Sequence, residues 1–304
     1  MNKELWEELN VAESLALASK WERFYHAPIK YMWAFTFRRC IYPFTRKEQL
    51  LTAHTFFGKK IMISLPASTD IYLTGSKSHH SEIRLARFLL LNLAKGDTFI
   101  DIGAHYGYFS LLAATITGDQ GRVISLEPSP SNFSLLKKNI ADLPNINAIQ
   151  KAVSCNEGEL VFYEFPALYS EYNTIDTTQF EDKSWFNAYK PVKHLLKATT
   201  IDIIAQHLSD KASLMIKVDV EGAELDVIRG GSRTLSKKNL TLIMEYLAPG
   251  RKNESHRAAT ALLKQMGYRP YLINNQGQLN AADDIDEYLT SQYLDSENIV
   301  FKKN

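Results

Sequence analysis

The sequence predicts an α/β fold: a mostly parallel, seven-stranded, doubly wound sheet with helices on both faces, preceded by an α-helical extension. Three observations predict it. From about Thr52 onward, strand-length apolar runs alternate with segments of helical period. Two successive runs, Thr98–Ile102 and Arg122–Leu126, each lead into a turn and then a helix. The first 51 residues stand apart, with Leu5, Leu9 and Ala12, then Leu17, Trp21 and Phe24, at helical spacing.

Lys59 to Leu65 reads as a strand, and Ser81 to Leu93 as a helix that stops before Lys95-Gly96-Asp97. Strand Thr98–Ile102, helix Tyr106–Thr117, strand Arg122–Leu126, helix Pro130–Ile140 and strand Asn147–Val153 continue the rhythm. A hairpin strand follows at Leu160–Phe165. Residues 166–196 then lose all period, and so long a stretch is expected to be a lid or substrate loop. Helix Thr200–His207, strand Leu214–Val218, helix Ala223–Arg229, strand Leu240–Tyr246 and helix Ser255–Met266 restore the pattern. Strands at Tyr268–Ile273 and Asn298–Lys302 complete the sheet. The main domain is therefore expected over residues 52–304 and the extension over 1–51.

Composition narrows the classes. Hydrophobic residues make up 45% and charged residues 23% of 304, which suits a globular protein with a substantial core. The net charge of +1 lacks the basic excess of a nucleic-acid-binding domain, so no nucleic-acid partner is expected. Cys40 and Cys155 supply neither a disulfide framework nor metal spacing, and a reducing compartment is the simpler setting. Met1–Asn10 carries Glu4, Glu7 and Glu8 and no apolar core of a secretory signal, and no run approaches the roughly 20 apolar residues of a membrane span. A cytoplasmic protein is expected. Between Trp21 and Phe44, however, aromatics crowd together, interleaved with Lys20, Arg23, Lys30, Arg38, Arg39, Arg46 and Lys47. An extension packed on the main domain is the expectation, and a peripheral membrane or protein contact through residues 20–47 is the alternative.

The segment Phe99-Ile-Asp-Ile-Gly-Ala-His-Tyr-Gly-Tyr runs from strand to turn to helix, where open α/β sheets bind ligands beyond their strands' carboxyl ends. Gly103 permits a sharp turn and a close backbone approach. Gly107 lets the helix begin near the strand, and Asp101 is expected at the strand tip with its carboxylate free for an amine or water. Glu127 ends the next strand, where an acid accepts both hydroxyls of a ribose. Ser129 and Pro130 then read as N-cap and first residue of a helix. A dinucleotide requires bare backbone at G-x-G-x-x-G for its pyrophosphate, and here His105 and Tyr108 fill the second and third glycine positions. S-adenosylmethionine carries no phosphate and tolerates both. Tyr106 and Pro128, beside these turns, Ala152, near the end of the third strand, and Asp219 complete the expected cofactor-binding set.

A second constellation is Leu214-Met-Ile-Lys-Val-Asp-Val-Glu-Gly-Ala-Glu-Leu. Asp219 ends the fourth central strand at the mouth of the crevice, and Lys217, two residues earlier, shares its strand face. The chain here resembles the FkbM-type methyltransferases. Phe99–Tyr108, Leu126–Asn132, Thr199-Thr-Ile-Asp202 and Ile216–Glu224 match that family's motifs in order, within a resemblance that covers roughly residues 60–302. The resemblance implies a Rossmann-like methyltransferase fold, S-adenosylmethionine as cofactor and O-methylation of a hydroxyl, often on a sugar, glycolipid or polyketide. His105 departs from it, since the family commonly has Asn there.

For such a transfer the acceptor oxygen must lie in line behind an activated methyl group and lose its proton. Asp219 is the first candidate to orient or deprotonate the hydroxyl, with Glu245 on the neighbouring strand tip. The pair can alternatively hold a divalent cation, although no cluster has convincing metal spacing and no metal ligand is assigned. Lys217 and His105 are the other candidate bases, if burial lowers their pKa; an ion pair is the alternative for Lys217. Glu221 and Glu224 are expected to favour their helix N-terminus, His79 and His80 to lie at the surface or on a lid, and Glu82 to approach the cofactor. A sugar or glycoconjugate hydroxyl is the expected acceptor, with Tyr163, Phe165, Tyr169, Tyr172, Trp185 and Phe186 stacking on it or forming the loop's own core. A lipid-linked or polyketide acceptor is the alternative, and a cofactor-binding protein without catalysis a third reading.

Overall fold

The computed structural model describes residues 3–208, 213–237 and 239–303. Its central sheet has eight strands: β1 (Thr98–Ile102), β2 (Arg122–Leu126), β3 (Ile146–Ile149), β4 (Leu214–Val218), β5 (Leu240–Leu247), β6 (Tyr268–Ile273), β7 (Leu279–Ala281) and β8 (Ser296–Lys303). The spatial order is β7-β6-β8-β5-β4-β1-β2-β3. The five strands from β5 to β3 are parallel, whereas β8 enters antiparallel between β5 and β6. The seven expected strands are all present, and β7 adds an antiparallel edge strand whose three residues, Leu279, Asn280 and Ala281, are too short a run to announce it.

Strand period explains the two-sided core. Phe99, Val123, Met215, Ile243 and Val300 point to one face, where they meet Leu85, Phe88 and Leu89 of helix His80–Asn92 and Leu111 and Leu112 of helix Tyr108–Thr117. The alternate residues Ile100, Ile124, Ile216, Leu242 and Phe301 meet Val227, Ile228, Leu263 and Leu289 on the other. Every residue of β1 and of β4 is buried, as parallel strands covered on both faces require.

Several boundaries differ from those expected. The helix after β1 begins at Tyr108, not Tyr106, because Gly107 adopts φ 88° and is its N-cap. The predicted strand Asn147–Val153 splits. Ile146–Ile149 stays in the large sheet, whereas Ala152–Val153 leaves it to pair parallel with Ala198–Thr199. The helix predicted over Thr200–His207 is regular only over Ile201–Ile204, capped by the Thr200 hydroxyl. Within residues 166–196 a 3₁₀ turn covers Ala167–Tyr172, and the strand Val192–Thr199 begins before the segment ends, antiparallel to Gly158–Glu164. The boundary at 51/52 falls inside a strand, Gln49–His54, which pairs with Lys60–Leu65. Helix Lys3–Leu17 buries Leu5, Leu9 and Ala12 in the main core, and Arg87 of the main domain binds Glu13 and Asn10 on that helix.

Candidate active site

Strand register assembles the site. Ile102 lies opposite Leu126 and Val218, and Val218 opposite Met244. The next residue on each strand is Gly103, Glu127, Asp219 and Glu245, so these four meet at the carboxyl edge of the sheet. Gly103 stands at φ 79°, and a Cβ there would lie 1.8 Å from the backbone oxygen of Asp219. Only glycine fits where the first and fourth motifs touch. All four residues line a cavity of about 360 Å³, together with His105, Pro128, Ala152 and Lys217, a size that suits a cofactor-class ligand.

One row deeper, Asp101 is paired in register with both Ser125 and Lys217. Its Oδ2 accepts the Ser110 hydroxyl at 2.6 Å, and Ser125 donates to Ser110 at 2.7 Å. Lys217 Nζ lies 2.7 Å from Asp219 Oδ2 and 3.6 Å from Asp101 Oδ1. Burial works to lower the Lys217 pKa, but the charges of Asp219 and Asp101 outweigh it and the ammonium titrates above its usual range. Lys217 is therefore held protonated, which removes it as a base and makes it the counter-ion of the site. Asp101 is also displaced from its expected place. It is buried beneath the cavity, with one oxygen bonded to Ser110, and does not line the cavity wall. Tyr106 and Gly107 likewise stay outside. Tyr106 is buried with its hydroxyl 3.4 Å from Ser170 Oγ, and Gly107 caps its helix against Leu136.

Asp219 and Glu245 stand on neighbouring strand tips and influence each other's titration. Burial, then the charge of Asp219, pushes Glu245 well above the usual carboxylate range. Burial also works to raise Asp219, but Lys217 outweighs it and Asp219 titrates below its ordinary value. Of the two carboxyls Glu245 thus holds a proton more readily, and Asp219 is the more readily ionised partner. The Asp219 side chain is 38% exposed, which leaves it open to the cavity. The divalent-cation alternative fits poorly, because Lys217 already supplies the positive charge beside Asp219. Among the described residues no group of three or more His, Cys, Asp or Glu forms a metal cluster.

At the β2 tip, Glu127 Oε2 accepts the His105 N–H at 2.8 Å and Oε1 accepts the Ser129 N–H at 3.0 Å. Burial pushes its pKa up to about 7 against those two bonds. Ser129 accepts from the Asn132 N–H as N-cap and Pro130 opens the helix, as its sequence predicts. His105 occupies the left-handed region at φ 52°, where Asn and His are tolerated better than most side chains. Its ring packs against that of Tyr106, with centroids 3.8 Å apart, and places Nε2 3.1 Å from Ser170 Oγ. Burial, aided by Lys77, lowers its pKa to about 4, so the imidazole is neutral.

Several lining residues lay beyond sequence reasoning. Lys77 bridges Glu82 at 2.8 Å and Glu171 at 3.1 Å, and Glu82 rises to about 7 through burial in spite of Lys77. Arg251 lies 4.0 Å from Glu221, which burial raises to about 8. His79 and His80 are both exposed at the helix start, as expected, and His79 also borders the cavity. Glu224 does open its helix, but it is buried, accepts the Gly222 N–H at 3.0 Å and meets His256 at 3.2 Å. Of the aromatic loop residues noted in the sequence, only Tyr172 reaches the cavity. Tyr169 stacks on Trp185 at 4.1 Å and Phe165 packs against Phe180, Trp185 and Phe186, so most of these rings form the loop's own core.

Residues 101–270 match the model of the methyltransferase FkbM domain. Methyltransferase 1 of Beauveria bassiana is 30% identical over 168 residues, which are 50% of this chain and 65% of that protein. Hexuronic acid methyltransferase AglP of Haloferax volcanii is 22% identical over 158 residues, 52% of this chain and 59% of that protein. The chain thus spans less than two thirds of these relatives' lengths. The solved structure of methyltransferase FkbM from Methylobacillus flagellatus superposes with a TM-score of 0.45 at 17% identity, covering 77% of this chain and 52% of that one. The motif register at the sheet edge and the family match over more than half of the chain place this protein in the FkbM methyltransferase family.

Proposed function

We propose that this protein transfers a methyl group from S-adenosylmethionine to a neutral hydroxyl on a sugar or glycoconjugate. The observation that carries this reading is the alignment of Glu127, Gly103, Asp219 and Glu245 along one edge of a single cavity. S-adenosylmethionine is the cofactor that goes with this family, and the cavity fits it: an acid stands at the β2 tip for ribose hydroxyls, bare backbone at Gly103, and an anionic wall at Asp219 for a sulfonium. Gly103, His105, Glu127, Pro128 and Ala152 would hold it, and it supplies an activated methyl group when bound.

The remaining work falls to the chain. Asp219, ionised and open to the cavity, accepts a hydrogen bond from the acceptor hydroxyl and takes its proton as the new bond forms. Lys217 fixes the carboxylate's orientation. Glu245, on the neighbouring strand tip, stands beside the same carboxylate, and lone pairs of Asp219 not used by Lys217 remain for the acceptor. The lining beyond Asp219 is polar, with Glu82 and Glu171 paired to Lys77, Glu221 near Arg251, and Asn298 and Tyr172 beside them. This supports a hydroxyl-rich acceptor over an apolar alcohol. The relative named for a hexuronic acid supports a sugar acceptor in general. The test is release of S-adenosylhomocysteine against a panel of neutral sugars, uronic acids and apolar alcohols. Turnover confined to the apolar alcohols would reject the acceptor class.

A further inference from the structure

Residues 20–47 hold seven Lys or Arg residues against the single acid Glu22, in a chain whose net charge is only +1. The same stretch exposes large apolar groups. Trp21 is 71% and Ile29 85% exposed, and Tyr25, Met32, Phe35 and Phe44 are also open to solvent. Surface helices ordinarily bury their apolar stripe and show polar residues outward. Helix Pro28–Thr36 does the reverse. Ala34, and Phe37 just beyond the helix, anchor it, while Ile29, Met32, Trp33 and Thr36 line an outward groove with Phe24 and Pro28. The π turn that follows, Phe37–Ile41, carries exposed Arg38 and Arg39.

This face is held in place. Trp33 Nε1 donates to Gln49 Oε1 at 3.0 Å, and the Arg46 guanidinium bonds to the Ala188 carbonyl at 2.6 Å and lies 4.1 Å over the Tyr189 ring. The Tyr42 hydroxyl accepts the Leu168 N–H at 3.3 Å. The segment that contains Leu168 and Ala188 also supplies Ser170, Glu171 and Tyr172 to the cavity wall.

We propose that residues 20–47 seat this protein on an anionic phospholipid surface, with Trp21, Ile29 and Met32 entering the interface and the basic residues pairing with lipid headgroups. Trp and Tyr favour that depth of a bilayer, and Lys and Arg beside an apolar face are the chemistry that an acidic leaflet attracts. Among the described residues no helix is long and apolar enough to cross a membrane, so the contact is peripheral. A second copy of the chain is the weaker occupant, because self-pairing would press two strongly basic faces together. The contacts to Ala188 and Leu168 then tie the membrane face to the wall of the active-site cavity, within reach of an acceptor presented on a lipid.

The test is co-sedimentation of the full chain with vesicles of phosphatidylcholine alone and of phosphatidylcholine with one third phosphatidylglycerol, at low and high salt. Binding needs no turnover, so it reads independently of the proposed reaction. The expected result is binding to the anionic vesicles only, reduced at least tenfold by 0.5 M salt. A similar loss is expected in Trp21→Ser/Ile29→Ser and in Arg38→Glu/Arg39→Glu, whose side chains are exposed, with circular dichroism checking that both variants remain folded. Absence of binding to either vesicle, or equal binding to both, overturns the proposal. So does a concentration-dependent dimer by light scattering that Ile29→Glu abolishes while no vesicle binding is seen, which would assign the face to a second copy.

Discussion

Lys217 Nζ lies 2.7 Å from Asp219 Oδ2 and 3.6 Å from Asp101 Oδ1, so one buried ammonium joins acids from two separate motifs. Asp219 can be the working carboxylate because Lys217 keeps it ionised where burial alone would protonate it. Replacement of Asp219 by Asn keeps the shape and removes the proton acceptor. Turnover should fall by about 10²–10⁴-fold, the range for a positioned acid or base. Affinity for S-adenosylmethionine should fall too, since Asp219 also supplies the anionic wall for the sulfonium, but by less than turnover. Steady-state turnover beside a binding titration checks both, and an unchanged rate would end the chemical role assigned to Asp219.

Lys217→Met removes the counter-ion while roughly keeping the volume. Asp219 then loses the charge that lowers its pKa, so the acidic limb of the pH–rate profile should move to higher pH. The direction follows from linkage. Asp219 is depressed in the folded state, so its contribution to stability is present above the unfolded carboxylate value and is lost as pH falls through the folded one. Without Lys217 that contribution disappears, and stability should fall by less than the roughly 3–5 kcal/mol of a fully buried pair, because Asp219 is open to the cavity and partly screened. Chemical denaturation measures the second effect. A large rate loss with an unmoved pH profile would show that Lys217 acts in some other way.

Glu127 gives a pH dependence of opposite sense for binding and for stability. Its folded pKa is pushed up to about 7 by burial, above an ordinary 4.5. Between those values the unfolded chain ionises first, so this group's share of stability declines as pH rises in the ligand-free protein. Ribose hydroxyls donate to the ionised form, so cofactor affinity should rise about tenfold from pH 6 to pH 8. Glu127→Gln should flatten that dependence and weaken binding at pH 8. Calorimetric titration of both proteins across this range is the check, and a pH dependence that survives in the variant would contradict the assignment.

Two glycines of similar backbone conformation separate strain from collision. Gly58 has φ 76° with nothing within 4 Å of a Cβ, whereas at Gly103, φ 79°, the Cβ would lie 1.8 Å from the Asp219 oxygen. Gly58→Ala should cost about 1–2 kcal/mol, the left-handed penalty alone. Gly103→Ala must also push apart the first and fourth strand tips, so a much larger fall in melting temperature is expected, with loss of cofactor binding. Similar melting temperatures for the two variants would show that the strand tips are not rigidly apposed.

Much of the cofactor half was legible because its signals are local. Gly103, Glu127 and the Ser129–Pro130 helix start are each specified within a few residues, and the apolar runs set the strand order around them. Asp101 was misplaced for a reason local pattern cannot supply: its depth depends on Ser110, Ser125 and Lys217, which approach it from three other elements. Lys217 was assigned to the correct strand face, but its protonation depends on Asp219 and Asp101 acting together against burial. The acceptor end was the least legible. Lys77, Glu171 and Arg251 are far apart in sequence and lie in segments with weak periodicity. Strand Val192–Thr199 was hidden because its exposed residues, Val192, Lys193 and Leu195 among them, carry no clean alternation.

The central claim is that the edge formed by Gly103, Glu127 and Asp219 binds S-adenosylmethionine. Its most direct test is isothermal titration of the purified protein with S-adenosylmethionine and, separately, with NAD. One saturable site for S-adenosylmethionine is expected and no measurable heat of binding for NAD, since His105 and Tyr108 stand where a dinucleotide motif has glycines. A folded sample that binds NAD, or that fails to bind S-adenosylmethionine, would contradict it.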